Sequence, residues 1–167
     1  MRALVIGGTG QVGRAAMTAL AAAGVEAVAA ARHPGPGGVR CDLRDPASVT
    51  AAARGFDTVY FQTPLGADES AVGVAAVAAL CAAGVAKLVY LGIMNLDLMA
   101  AIPHFATKRP VRDAVLADGR SVMIAANFFM ANDLLMKCPR RRLPMRPIPP
   151  IRAHRRHSAP STVSRRR

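Results

Sequence analysis

Short apolar runs alternate with helix-length stretches rich in Ala and Val along most of the chain. Residues 3–6, 25–31, 39–41, 58–61, 88–91 and 121–126 read as strands, set off by glycine, proline or polar turn residues. The helical stretches carry their own punctuation. Residues 14–23 close on Gly24, and residues 68–83 stop at Gly84. Between them, a helix begins with Asp45 as N-cap and Pro46 as first residue and ends at Gly55. A helix over 104–117 should kink at Pro110, which removes one backbone donor, and residues 127–136 begin another.

Strands alternating with helices at about 25–30-residue spacing imply βαβ units. The expected fold class is therefore α/β, a doubly wound, parallel, Rossmann-like sheet covered on both faces. Ligands of such sheets sit beyond the carboxyl ends of the strands, where the strand order reverses. One cleft should thus gather residues 7–13, Arg32, Asp42, residues 62–64 and residues 92–94.

Composition changes this picture only near the end of the chain. Of 167 residues, 52% are hydrophobic and 19% charged, enough for a sizeable core and inconsistent with global disorder. The formal charge of +12 suits a nucleic-acid or membrane-surface binder, but it is unevenly spread. Residues 1–136 hold 11 Lys/Arg and 10 Asp/Glu, whereas residues 137–167 hold the other 11 Lys/Arg, six Pro and no acid. The expected division is a globular domain over 1–136 and a basic Pro/Arg-rich tail over 137–167, disordered because it cannot bury a core. Such a tail fits a shifted reading frame in a GC-rich gene, or a polybasic arm that binds nucleic acid through phosphates. It lacks the interleaved aromatics of a base-stacking surface. No secretory h-region is visible, and the longest uncharged run, residues 70–86, is too short and too weakly apolar for a membrane span. Cys41, Cys81 and Cys138 have neither metal nor redox spacing. A cytoplasmic protein without metal or membrane partner is expected.

The candidate chemistry begins at Gly7-x-x-Gly10-x-x-Gly13, which follows a strand and opens a helix. One glycine accepts positive φ, a second lets the backbone approach a pyrophosphate, and the third lets the helix pack against the strand. The free N–H groups and positive helix end then face phosphates. The same glycines also suit a turn that binds nothing. The residue after the second strand discriminates nucleotides: an acid takes a ribose 2′-hydroxyl, an Arg a 2′-phosphate. Here Arg32 stands there, while Glu26 lies at the wrong end of the strand. An Arg fork matches phosphate geometry, which favours NADP over NAD; the plainer alternative is a solvated surface Arg. Asp42 is either an acceptor for an adenine amino group or a turn residue.

These residues, with Leu43, the run Pro103-His104-Phe105-Ala106-Thr107-Lys108 and the run Asn127-Phe128-Phe129-Met130-Ala131-Asn132, resemble the NmrA-like family of atypical short-chain dehydrogenase/reductases over about residues 1–136. The resemblance implies an NAD(P)(H)-binding Rossmann fold, in a family of oxidoreductases and non-catalytic redox sensors or regulators. It makes Gly7, Thr9, Gly10, Gln11, Val12 and Gly13 the dinucleotide loop and Arg32 the 2′-phosphate contact. Asp42 and Leu43 would border the adenine, and Thr63 and Pro64 the ribose. Lys108 would hold the nicotinamide ribose. His104-x-x-x-Lys108 takes the place of the Tyr-x-x-x-Lys of catalytic reductases, with i, i+4 spacing on one helix face, so these two are the candidate catalytic residues. His104 is otherwise a solvated ring at a helix start, and Asn127 is a cofactor contact or the cap of the next helix. Phe128, Phe129 and Met130 read as core.

The chain also departs from the family pattern. Leu91-Gly92-Ile93 lacks the Ser of catalytic members, position 104 lacks the Tyr, and Ala125-Ala126 replaces Arg-Pro. Beyond Met136, the family's further strand and helical substrate-binding part give way to the basic tail. These departures weigh against hydride transfer while leaving cofactor binding in place, and the substrate is not legible.

Overall fold

The structure, a computed structural model, describes residues 1–127. Six strands are present: β1 Arg2–Ile6, β2 Glu26–Ala31, β3 Val39–Arg40, β4 Thr58–Phe61, β5 Lys87–Ile93 and β6 Val122–Ala126. The helices are α1 Gln11–Ala22, α2 Pro46–Ala53, α3 Glu69–Ala82, α4 Pro103–Ala106 and α5 Lys108–Leu116, with a 3-10 turn at Leu98–Ala101. All six strands pair in parallel, in the order β3-β2-β1-β4-β5-β6. The expected doubly wound sheet is therefore present, and β1 is the strand from which the order departs in both directions. Both the helix proposed after Asn127 and the tail over 137–167 lie outside the described residues.

The sheet is buried because its short strands are apolar on both sides. Leu4, Ile6, Val59, Phe61, Leu88 and Tyr90 join Val49, Val77, Leu80, Val111 and Val115 of α2, α3 and α5 in one buried cluster. Side chains alternate along a strand, so Ala3 and Val5 turn to the opposite face, where α1 packs on β1 and β2. Each large side chain buried this way contributes about 1.5–3 kcal/mol.

Local signals set the element ends. The Asp45 carboxylate accepts the Ala47 N–H at 3.0 Å, with Pro46 at the first helical position. Glu26 pairs with Arg2 at 2.7 Å, at the amino end of the sheet and away from the strand tips. The expected single helix over 104–117 is instead two. Pro110 lacks the N–H that would reach the Ala106 carbonyl, and its ring crowds that same carbonyl. The helix is accordingly interrupted at Thr107, one turn ahead of the proline.

The loop from β1 into α1 is tightly packed. Gly7 has φ +81°, a region that residues with a Cβ rarely enter. A Cβ at Gly13 would overlap the Gly7 carbonyl oxygen and stand 2.7 Å from the Gly8 Cα. No rotamer relieves a clash between backbone atoms. Gly13→Ala should therefore lose about 1–3 kcal/mol of stability to overpacking, despite a helix-propensity gain of about 1 kcal/mol for alanine. Urea unfolding would show this as a lower midpoint; an unchanged or higher midpoint would mean that the loop yields.

Candidate functional site

All six strands point the same way, so their carboxyl ends share one edge, and two cavities open there. The first, about 580 Å³, lies where the strand order reverses. Its walls include Gly7, Thr9 and Gly10, then Arg32 and His33 after β2, Asp42 and Leu43 after β3, and residues 62–65 after β4. The second, about 670 Å³, takes in the same residues 62–65, the end of β5, His104, Phe105, Lys108 and Asn127. Thr63 and Pro64 stand in both walls, so the two cavities flank a common ridge.

At the first cavity the sequence motif acquires its geometry. Gly7 donates its N–H to the Ala30 carbonyl at 2.8 Å, and Gly10 donates to the Gly7 carbonyl at 2.9 Å. Gly10 is the N-cap of α1 and has no side chain to offer, and the first turn contains no acid. The N–H groups of Gln11, Val12 and Gly13 are thus the open donors of that helix start. Those three residues stand outside the cavity lining itself. Arg32 is exposed, with no hydrogen bond or ion pair among the described residues, whereas Arg44 on the same wall is paired with Asp68. Asp42 uses one carboxylate oxygen to accept the Arg44 N–H at 3.0 Å, a turn role that leaves the other oxygen uncommitted at the cavity wall.

Lys108 is not free in the second cavity. Its ammonium donates to Glu69, which is 1% exposed at the start of α3. The same carboxylate oxygen accepts the Thr63 hydroxyl, and the other accepts the Thr107 hydroxyl at 2.7 Å. Thr63 commits its one proton to Glu69, so Tyr90 is the donor across the 3.3 Å that separates their oxygens. Burial, with a smaller push from Glu69, raises the Tyr90 hydroxyl from its ordinary 10.0 to about 12. Tyr90 thus releases no proton near neutral pH. His104 is exposed with its ring 3.9 Å from that of Phe105, and it shares the second cavity with Lys108 although the helix breaks between them. The end of β5 brings no hydroxyl: Leu91, Gly92, Ile93 and Met94 line the cavity there.

Sequence reasoning gathered the glycine loop, Arg32, Asp42, Leu43, Thr63, Pro64, His104, Lys108 and Asn127, and the structure places these at the strand tips. It missed Glu69 and Tyr90. An acid in the first turn of a helix usually faces water and the helix dipole, so nothing about Asp68-Glu69 announces burial. The signal lay at Lys108, since a buried ammonium requires an acidic partner.

Cys41 lines the first cavity yet is buried. Burial first, and then Asp42 and Asp45, push its thiol up to about 11. The thiolate is the nucleophile, so Cys41 should resist a thiol reagent at pH 8 while exposed Cys81 reacts. In a Cys138→Ser variant, one rapidly titrating thiol is expected; two would show that the cavity wall opens.

No curated relative matches the chain. Among solved structures, it is similar to the Citrobacter sp. triphenylmethane reductase complexed with NADP(H), at TM-score 0.72 and 20% identity, covering 80% of this chain and 52% of that one. The NADPH-dependent quinone oxidoreductase of Escherichia coli, complexed with NADPH, aligns at TM-score 0.65 and 22% identity over 81% of this chain and 52% of that one. NmrA, a negative transcriptional regulator, aligns at 0.65 and 20% over 78% and 47%. These likenesses establish the fold, and the chain spans about half the length of each structure. No helix among the described residues is long and apolar enough to cross a membrane. The family model described as the NmrA-like family matches residues 1–142, six beyond the expected boundary at Met136. The chain belongs to the NmrA-like family.

Proposed function

We propose that this chain binds a nicotinamide dinucleotide, NADP(H) in preference to NAD(H), and acts as a redox sensor or regulator or as a weak NADPH-dependent oxidoreductase. The observation that carries the reading is the Arg32 guanidinium, unpaired among the described residues, on the same cavity wall as the open glycine loop. Phosphates would lie at the N–H groups of Gln11, Val12 and Gly13, which have no acceptor of their own. Arg32 would take the 2′-phosphate as a bidentate donor. Asp42 and Leu43 would flank the adenine, Thr63 and Pro64 the ribose between the cavities, and Lys108 the nicotinamide ribose, with Asn127 near its far end. The related structures complexed with NADP(H) or NADPH support the choice of ligand class.

When bound, the nicotinamide supplies hydride chemistry; the residues around it determine whether a substrate can use it. A reductase needs an acid for the developing alkoxide and a donor that orients the carbonyl. Tyr90 is turned inward to Thr63 and holds its proton to about pH 12. Leu91, Gly92 and Ile93 offer no side-chain donor, which leaves His104 as the acid with no hydroxyl at the end of β5 to orient the carbonyl. Binding is thus better provided for than turnover.

Two measurements test this. Calorimetric titration should give tighter binding of NADPH than of NADH, and Arg32→Glu should reverse the order by removing a contact worth about 1.5–3 kcal/mol and adding a repulsive carboxylate. Equal wild-type affinities would remove Arg32 from the assignment. NADPH oxidation with quinones, aldehydes and ketones should stay below about 1 s⁻¹, the low end of ordinary enzymes. Faster saturable turnover that disappears in Lys108→Ala would make the protein a working reductase.

A further inference from the structure

Glu69 lies behind the wall of the groove and lines neither cavity. Burying a carboxylate costs several kcal/mol unless donors replace its water, and here three side chains do so. Thr63 at the end of β4 and the Lys108 ammonium at the start of α5 meet one oxygen; Thr107 at the α4–α5 joint meets the other at 2.7 Å. The neighbouring residue reinforces the link, since the Ser70 hydroxyl donates to the Thr107 carbonyl at 2.8 Å. The first two residues of α3 thus clamp the joint that Pro110 creates.

Two of the three donors, Thr63 and Lys108, themselves line the second cavity. An ammonium on four methylenes has many rotamers, and a ligand that used it would lose affinity to ordering it. Glu69 removes that disorder in advance.

We propose that Glu69 is a positioning residue for the nicotinamide-side half of the site: touching no ligand, it holds Lys108 and Thr63 where a ligand in the second cavity meets them. This rests on the reading that a dinucleotide spans the groove. The competing role is structural, a pair that only fastens α3 to α5.

The two roles separate by comparing NADPH with adenosine 2′,5′-bisphosphate, which keeps the adenine half of the ligand and lacks the nicotinamide half. In Glu69→Gln, NADPH affinity should fall about tenfold, as for loss of a hydrogen bond to a charged group, while bisphosphate affinity stays within about twofold. In a Lys108→Met background the same Glu69→Gln change should lose most of its effect on NADPH affinity, leaving only the smaller share that Glu69 exerts through Thr63. If Glu69→Gln fails to fold, Thr107→Val removes one donor and keeps the charge pair, and it should shift the NADPH-to-bisphosphate ratio in the same direction by a few-fold. Equal weakening of both ligands, an unchanged ratio, or a full Glu69→Gln effect without Lys108 would assign Glu69 to structure alone and leave dinucleotide binding standing. A wild-type protein that binds neither ligand would overturn the dinucleotide reading and this proposal together.

Discussion

Every feature of the groove depends on β1 being paired on both sides. The chain leaves β1 through α1 to reach β2, and it later returns to the other side of β1 as β4. Among the described residues no connection crosses the gap between the β1–α1 loop and the loop after β4, so a groove lies between them. Close packing sets how open that gap is. Gly13 allows α1 to start against the Gly7 carbonyl, and a side chain there would push the helix off the sheet and lift the loop with it. The same few backbone atoms therefore close the fold at one point and expose donors at the next.

At the other end of the groove the decisive contact is between charges. A buried ion pair is poor evidence for stability, because desolvation consumes most of the attraction. Glu69 and Lys108 are better understood by what each would cost alone. Either charge left unpaired at that depth would carry an uncompensated desolvation cost, and without Glu69 the α4–α5 joint would lose the carboxylate that Thr107 and Lys108 share. Pro110 interrupts the helix, and Glu69 gives the interruption a fixed geometry.

The fold was legible because its signals are local. Apolar runs suit strands covered on both faces, and Gly24, Gly55 and Gly84 all adopt positive φ at helix ends, where the sequence places them. The first cavity was legible for the same reason, since the glycine loop and Arg32 are each tied to one strand end. The second cavity was only partly so. Lys108 could be singled out, but its partner stands 39 residues earlier and on another element. Burial of Glu69 follows from how α3 and α5 pack, which no spacing rule reports. The exact site of the helix break was hidden as well: proline acts on the carbonyl four residues back, so the interruption falls at Thr107 rather than at Pro110.

Charge balance along the groove then gives it a direction. Arg44 is neutralised by Asp68 and Lys108 by Glu69, so neither end of the groove gains net positive charge from them. Arg32 pairs with no acid among the described residues, beside a helix start that has no acidic residue in its first turn. Among the described residues the open positive groups, Arg32 and the start of α1, therefore lie at the first cavity, whose wall also carries the Asp42 carboxylate. An anion with phosphates at one end and a neutral ring at the other would be drawn in phosphate end first, since opposite charge is favoured at the helix start and at the free guanidinium. Its neutral end would then meet the second cavity, where Leu91, Ile93, Met94 and Phe105 offer apolar walls and the one ammonium is already matched. The pairing that withholds Lys108 from long-range attraction thus makes the groove polar along its length, and that polarity would orient such an anion before any close contact formed.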